Sequence, residues 1–261
     1  MDPRARNLIV LIAGLAVVAV VALGGCALIR VRADGGGAAQ ALAQILVPRP
    51  GPGGSPAARQ SWTVGKATKP FTVYRRPDVK APVLTKLGKT NVNGYPTLVL
   101  VSSVRDVRGV TWYRVYVAMR PNESRGWVRE GSLAFYITTS KIVIRLSTRR
   151  LSVVQNGAVV RTYRVAVGQP GLATPTGTYF VNQKLRPSSP GGPYGVLALG
   201  TSAFQPKLAY WPQGGPVGIH GTNEPWLIGK AISHGCVRMR NKDILAVSRM
   251  VPAGSPVIIK Q

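Results

Sequence analysis

The chain has 261 residues, with 34 Lys+Arg against 8 Asp+Glu and a net charge of +26. Apolar residues make up 45 %, too many for wholesale disorder, and the length allows one or two domains. Two cysteines, 210 positions apart, exclude a disulfide scaffold, and 30 Gly with 21 Pro make a turn-rich chain that has no collagen repeat.

Residues 8–29 are 22 consecutive uncharged positions, flanked by Arg4 and Arg6 on one side and Arg30 and Arg32 on the other. As a helix they span about 33 Å, enough for a bilayer core of about 30 Å. A soluble core helix of that length would carry a polar stripe, and a cleaved signal would have a shorter apolar run ending at small residues. The expectation is a single-pass anchor; the flanking arginines balance two against two, so orientation rests on the seven-residue leading tail, taken as cytoplasmic, with everything after Arg30 exported. The minority alternative is a lipoprotein anchored at Cys26, because Leu23-Gly24-Gly25-Cys26 resembles a lipoprotein box. Residues 33–61 are rich in Gly, Pro and Ala and bury little, so they read as a linker. The domain expectation is a tail and anchor over 1–32, the linker over 33–61, a β module over 62–138 and a second β domain over 139–261.

From Trp62 the pattern changes to short β-rich runs, at 71–74, 98–103, 111–117 and 126–128, separated by Gly, Pro, Asn and Asp. The spacing predicts a compact module of about five strands. Val73–Pro77, Trp112–Val115 and Gly126–Val128 resemble a bacterial SH3-type domain, which implies a barrel that binds or positions a wall polymer. Trp112 and Trp127 are expected in its core.

Strand-like runs continue at 141–146, 151–155, 158–168 and 178–183, with an Asn156-Gly157 hairpin signal between the second and third. Asn241 is placed to cap a short helix that Pro252 stops, and 256–260 reads as a closing strand. The fold expected is mainly β.

The only two histidines, His220 and His234, and the only cysteine outside the anchor, Cys236, fall within 17 positions. A thiol nucleophile needs a base and donors for a developing oxyanion. Cys236 supplies the thiol, and either His220 or His234 the base. Gly235 lets the backbone bend so that N–H groups face a reacting carbonyl. Arg238, Arg240 and the helix start add positive potential, expected to lower the thiol pKa. No carboxylate is well placed to orient an imidazole, since this half holds only Glu224 and Asp243; a backbone carbonyl such as that of Gly221 would serve. The same three side chains are plausible zinc ligands, but no four-ligand spacing or CxxC follows, so no metal is expected. Tyr210, Trp211 and Trp226 flank the stretch as groove or packing residues, Tyr210 and Trp226 being the groove candidates.

His220-Gly221-Thr222, then Ser233-His234-Gly235-Cys236-Val237-Arg238-Met239, resembles the signature of the L,D-transpeptidase (YkuD-type) catalytic domain over residues 139–261. The resemblance implies a β-sandwich with a short helix after the catalytic loop. It implies Cys236 as nucleophile, His220 as base and the Gly221 carbonyl as its orienter. Ser233, His234 and Gly235 would shape the oxyanion region, with Arg238 beside the site. The implied substrates are peptidoglycan stem peptides: attack on a tetrapeptide, release of its terminal D-Ala, a thioester, and transfer to an amine of a neighbouring stem. Water as acceptor would make an L,D-carboxypeptidase instead, carbapenems would acylate the same cysteine, and no cofactor is needed.

The charge divides as +4 over 1–61, +9 over 62–138 and +13 over 139–261. Such a surface attracts polyanions. No helix-turn-helix, zinc finger or stacked-aromatic motif points to nucleic acid, so none is expected as a partner. The non-catalytic alternative is a basic wall-binding protein.

Overall fold

The computed structural model describes residues 60–261. The expected anchor at 8–29, Cys26 and nearly all of the linker lie outside the described residues. Among the described residues no helix is long and apolar enough to cross a membrane.

The first sheet is built from β1 (Trp62–Ala67), β2 (Phe71–Tyr74), β3 (Val83–Leu87), β4 (Leu98–Val107), β5 (Val110–Tyr116), β6 (Arg125–Arg129) and β7 (Leu133–Thr138). Its order is β3-β2-β6-β5-β4-β1-β7, with antiparallel neighbours throughout. Alternation places Val64, Val73, Val99, Val115 and Val128 inside, each at most 1 % exposed. Trp112 and Trp127 are buried, as expected. The sheet has seven strands rather than about five. Three strands lie outside the runs read from sequence: β1, interior between β4 and β7, and the two edges, β3 and β7, where half-exposed side chains blur the alternation.

The second sheet has the order β10-β9-β8-β17-β12-β13-β14-β16. Its strands are β8 (Ser140–Arg145), β9 (Arg150–Gln155), β10 (Ala158–Arg164), β12 (Gly177–Leu185), β13 (Ala198–Phe204), β14 (Pro216–His220), β16 (Val237–Arg238) and β17 (Pro256–Lys260). Asn156 and Gly157 turn β9 into β10 with φ of 50° and 87°, the left-handed pair that a two-residue hairpin requires. The closing strand β17 runs parallel to β8, pairing Val257 with Ile142, and antiparallel to β12.

The run 158–168, read from sequence as one strand, breaks after Arg164. Val165 N–H turns to Arg149 O and Ala166 bridges Arg238, while β11 (Val167–Gly168) pairs in parallel with β15 (Ala231–Ser233). Helix α1 (Asn241–Met250) buries Ile244 and Val247 in a core shared with Ile142, Leu151, Tyr179, Leu199, Ile219 and Met239. At roughly 1.5–3 kcal/mol for each buried aliphatic side chain, those two contacts fix the helix, and with it the segment leading out of β16.

Asn241 does not cap this helix as expected. Arg240 holds the capping position without a side-chain bond, and Asn241 Oδ1 instead accepts the Thr222 N–H at 3.0 Å. The side chain is drawn away from its own helix because the loop after β14 brings an otherwise unpaired donor within reach.

Candidate active site

Strands β14 and β16 lie side by side and parallel, with Ile219 opposite Val237 and His220 opposite Arg238. That register sets Cys236 level with Gly218. The Gly218 N–H points at Cys236 Sγ, 3.4 Å away. Gly218 and His220 share a strand face, and a Cβ built on Gly218 would stand 3.9 Å from His220 Cδ2. Gly218 thus neighbours both groups, its N–H on the sulfur and its open face toward the imidazole edge, although sixteen positions separate Cys236 and His220 in the chain.

His220 is 3 % exposed, and its Nδ1 lies 2.6 Å from Gly221 O. A carbonyl only accepts, so Nδ1 carries the proton and Nε2 is left as a bare acceptor. This is the orientation that a triad carboxylate otherwise imposes, supplied here by the backbone. The ring is packed edge-on by Tyr194, centroids 4.9 Å apart. Gly221 is itself held: its N–H donates to Leu197 O, and a Cβ on it would come within 2.2 Å of Asn241 Oδ1. Asn241 thus packs against Gly221 and bonds its neighbour Thr222.

The turn that delivers the sulfur is closed by Ser233. Its hydroxyl donates to Cys236 O at 2.5 Å and accepts the Gly235 N–H at 3.1 Å. Gly235 has φ of +118°, and a Cβ there would fall 2.8 Å from Gln205 Nε2. Backbone conformation and space both demand glycine.

Burial pushes the Cys236 thiol up, and the Gly218 N–H and the Arg238 charge only partly oppose it. Burial likewise pulls His220 down, to about 4; the Gly221 bond works against that shift and Arg238 works with it. The expectation of a thiol pKa lowered by flanking positive charge is corrected here, because desolvation outweighs the charge. At neutral pH the two side chains therefore rest as neutral thiol and neutral imidazole. Arg238 is held beside both groups by Glu224, 2.8 Å from its guanidinium.

Of the other residues named from sequence, Ser233 and Gly235 lie in the turn, and Arg238 lies beside the pair. His234 is exposed and packs against Trp211, ring centroids 5.5 Å apart, whereas His220 is buried. Tyr210 and Trp226 are 80 % and 68 % exposed, and no described ring contact ties either to the site. Sequence reasoning missed Gly218, Tyr194, Gln205 and the loop-bonding role of Asn241. Of these only Asn241 had carried a signal, as a polar residue at a helix start.

The family model for the L,D-transpeptidase catalytic domain matches residues 139–259. A Bacillus subtilis protein, YkuD, named as an L,D-transpeptidase, is 38 % identical over 126 residues, 48 % of this chain and 69 % of its own length. Its Bacillus licheniformis counterpart is 40 % identical over 119 residues, 46 % of this chain and 64 % of its own. Among solved structures, Bd1075 of Bdellovibrio bacteriovorus is 23 % identical with a TM-score of 0.39, covering 47 % of this chain and 48 % of that one. L,D-transpeptidase 3 of Mycobacterium tuberculosis, solved with a faropenem-derived adduct, is 18 % identical with a TM-score of 0.37, covering 62 % and 98 %. This chain spans 64–69 % of the two Bacillus relatives and about half of the Bdellovibrio protein. With 38 % identity across 69 % of the Bacillus subtilis relative, and the family model matched over residues 139–259, the chain belongs to the L,D-transpeptidase family.

Proposed function

We propose that the protein cross-links peptidoglycan on the outer face of a bacterial membrane, with Cys236 as nucleophile and His220 as base. The observation that carries this reading is the Sγ on the Gly218 N–H, beside a buried imidazole whose Nδ1–H is fixed on Gly221 O.

The donor is a tetrapeptide stem, attacked at the carbonyl before its terminal D-Ala. As Sγ bonds to that carbon, its proton passes to His220 Nε2 and the carbonyl oxygen takes the negative charge. Backbone N–H groups of the turn 233–236 receive that charge. The Gly235 N–H is held by Ser233 Oγ, so those of His234 and Cys236 are the donors assigned to the oxyanion. Collapse breaks the bond to D-Ala, whose nitrogen takes the proton from Nε2. An imidazolium with a pKa near 4 is a strong acid toward an amine, so burial that disfavours charge on His220 also drives this second transfer. The thioester is then opened by an amine of a neighbouring stem, which passes its proton to Nε2 as the thiolate leaves. Arg238, held by Glu224, biases both partners through its charge.

The first sheet is proposed as an SH3-like module that positions the enzyme on the wall, and residues 8–29 as its membrane anchor. The net charge of +13 over residues 139–261 suits retention among anionic wall polymers and stem carboxylates. Carbapenems, as acylating agents, are expected to react at Cys236.

Mass spectrometry of products from a defined tetrapeptide, with and without a second stem as acceptor, tests the reaction. A cross-linked dimer with free D-Ala supports transfer. A tripeptide alone assigns the chain to L,D-carboxypeptidase action. Neither product, with the thiol reduced and reactive, would leave a wall-binding protein.

A further inference from the structure

The connection between β5 and β6 of the first sheet reaches the catalytic half at residues 204–215 and also at Thr178, whose N–H donates to Glu123 Oε1 at 2.9 Å. Arg120 donates from Nε and Nη2 to Gly214 O, at 3.1 and 2.7 Å, and Nη2 also donates to Gln205 O. Its Nη1 reaches Pro206 O at 3.4 Å, and the guanidinium lies over the Phe204 ring, 5.6 Å from its centroid. Asn122 brackets the Phe204 backbone, donating to its carbonyl and accepting its N–H, both at 2.8 Å. Within the segment, the Gln205 N–H closes onto Gly215 O at 2.9 Å. The base of this loop is therefore fastened by two side chains of the β5–β6 connection.

What the loop carries bears on the reaction. The Gln205 side chain is buried, anchors to Ala173 O at 2.8 Å and underlies Gly235, where a Cβ would strike its Nε2. Trp211, 39 % exposed, packs on His234, and Tyr210 beside it is almost fully exposed. The loop thus touches two residues of the turn that delivers Cys236 and offers aromatic faces next to them. Carbonyls receive every bond that Arg120 makes here, and among the described residues it has no acidic partner. A planar fork spans three carbonyls at once; a lysine ammonium cannot.

We propose that Arg120 and Asn122 are positioning residues of the active site. They fix the loop 204–215 against the turn 233–236, so that the β module completes the wall on which the donor stem lies. This rests on Cys236 being the acylated residue, but the loop's order can be measured without any turnover.

The test uses the full chain and the variants Arg120→Ala, Arg120→Lys and Asn122→Ala. Hydrogen exchange of residues 205–215 should rise about tenfold or more in Arg120→Ala, with Arg120→Lys intermediate, while the β8–β9 hairpin keeps its protection. Alkylation of Cys236 by iodoacetamide, too small to need the loop, should change by less than about twofold. KM for a defined tetrapeptide donor should rise about fivefold or more, with a smaller effect on kcat. Unchanged exchange at 205–215, or protection lost equally from the β8–β9 hairpin in all three variants, overturns the proposal. If the parent chain turns over no donor, the assigned reaction fails, and the exchange and alkylation results still decide whether the loop is clamped.

Discussion

Acidification probes the buried imidazole directly. His220 holds a pKa of about 4 in the folded chain against 6.5 in an ordinary environment. As pH falls through 6.5 the unfolded chain takes up a proton that the folded chain refuses until about pH 4. The stability tied to this group is therefore complete above pH 6.5 and is withdrawn as pH falls toward 4. At about 1.4 kcal/mol for each pH unit, the full loss is about 3 kcal/mol, of which about 2.5 is realised by pH 4.5. Urea unfolding followed by tryptophan fluorescence measures it, on the parent and on His220→Gln, which keeps a neutral polar side chain without the titration. Every other group is common to the two chains and cancels in the difference. Between pH 7.5 and 4.5 the parent's midpoint should fall by roughly 1–2 M urea more than the variant's. Equal losses in the two proteins would refute the burial argument and would mean that the imidazole is hydrated enough to charge freely.

Substitutions at three further positions probe the groups around Cys236 and His220. Arg238→Gln removes a charge that lowers both pKa values and leaves Glu224 unpaired, so the pH dependence of Cys236 alkylation should move to higher pH, as stopped-time mass spectrometry would show. Gly235→Ala forces a left-handed residue against Gln205; it should cost about 1–3 kcal/mol in thermal melts and slow acylation. Asn241→Ala leaves the Thr222 N–H without its acceptor, costing about 1–3 kcal/mol. It should also slow acylation by loosening the loop that carries Gly221 O, whereas Asn241→Asp retains the acceptor and should do less harm.

The chemistry was legible in the chain wherever it depends on local order. Ser233-His234-Gly235-Cys236 is a turn whose hydroxyl and glycine are readable from residue type, and the choice of a carbonyl over a carboxylate follows from the scarcity of acids in this half. The hairpin at Asn156-Gly157 was legible for the same reason. Four features were not. Desolvation of Cys236 depends on packing from distant strands, so nearby arginines gave the wrong sign for its pKa. Asn241 looked like a helix cap because nothing local reveals that Thr222, nineteen positions earlier, presents a donor to it. The run 158–168 breaks where Val165 and Ala166 bond to Arg149 and Arg238, partners that periodicity cannot register. Edge strands β3 and β7 lacked the alternation that marks interior strands.

Acyl-enzyme trapping tests the central claim most directly. The full chain is mixed with a defined tetrapeptide, quenched in acid and digested, and the peptide that contains Cys236 is weighed. That peptide should gain the mass of a tripeptidyl group in thioester linkage, with one D-Ala released for each chain acylated. A Cys236 that reacts with iodoacetamide yet never gains the acyl group would contradict the account.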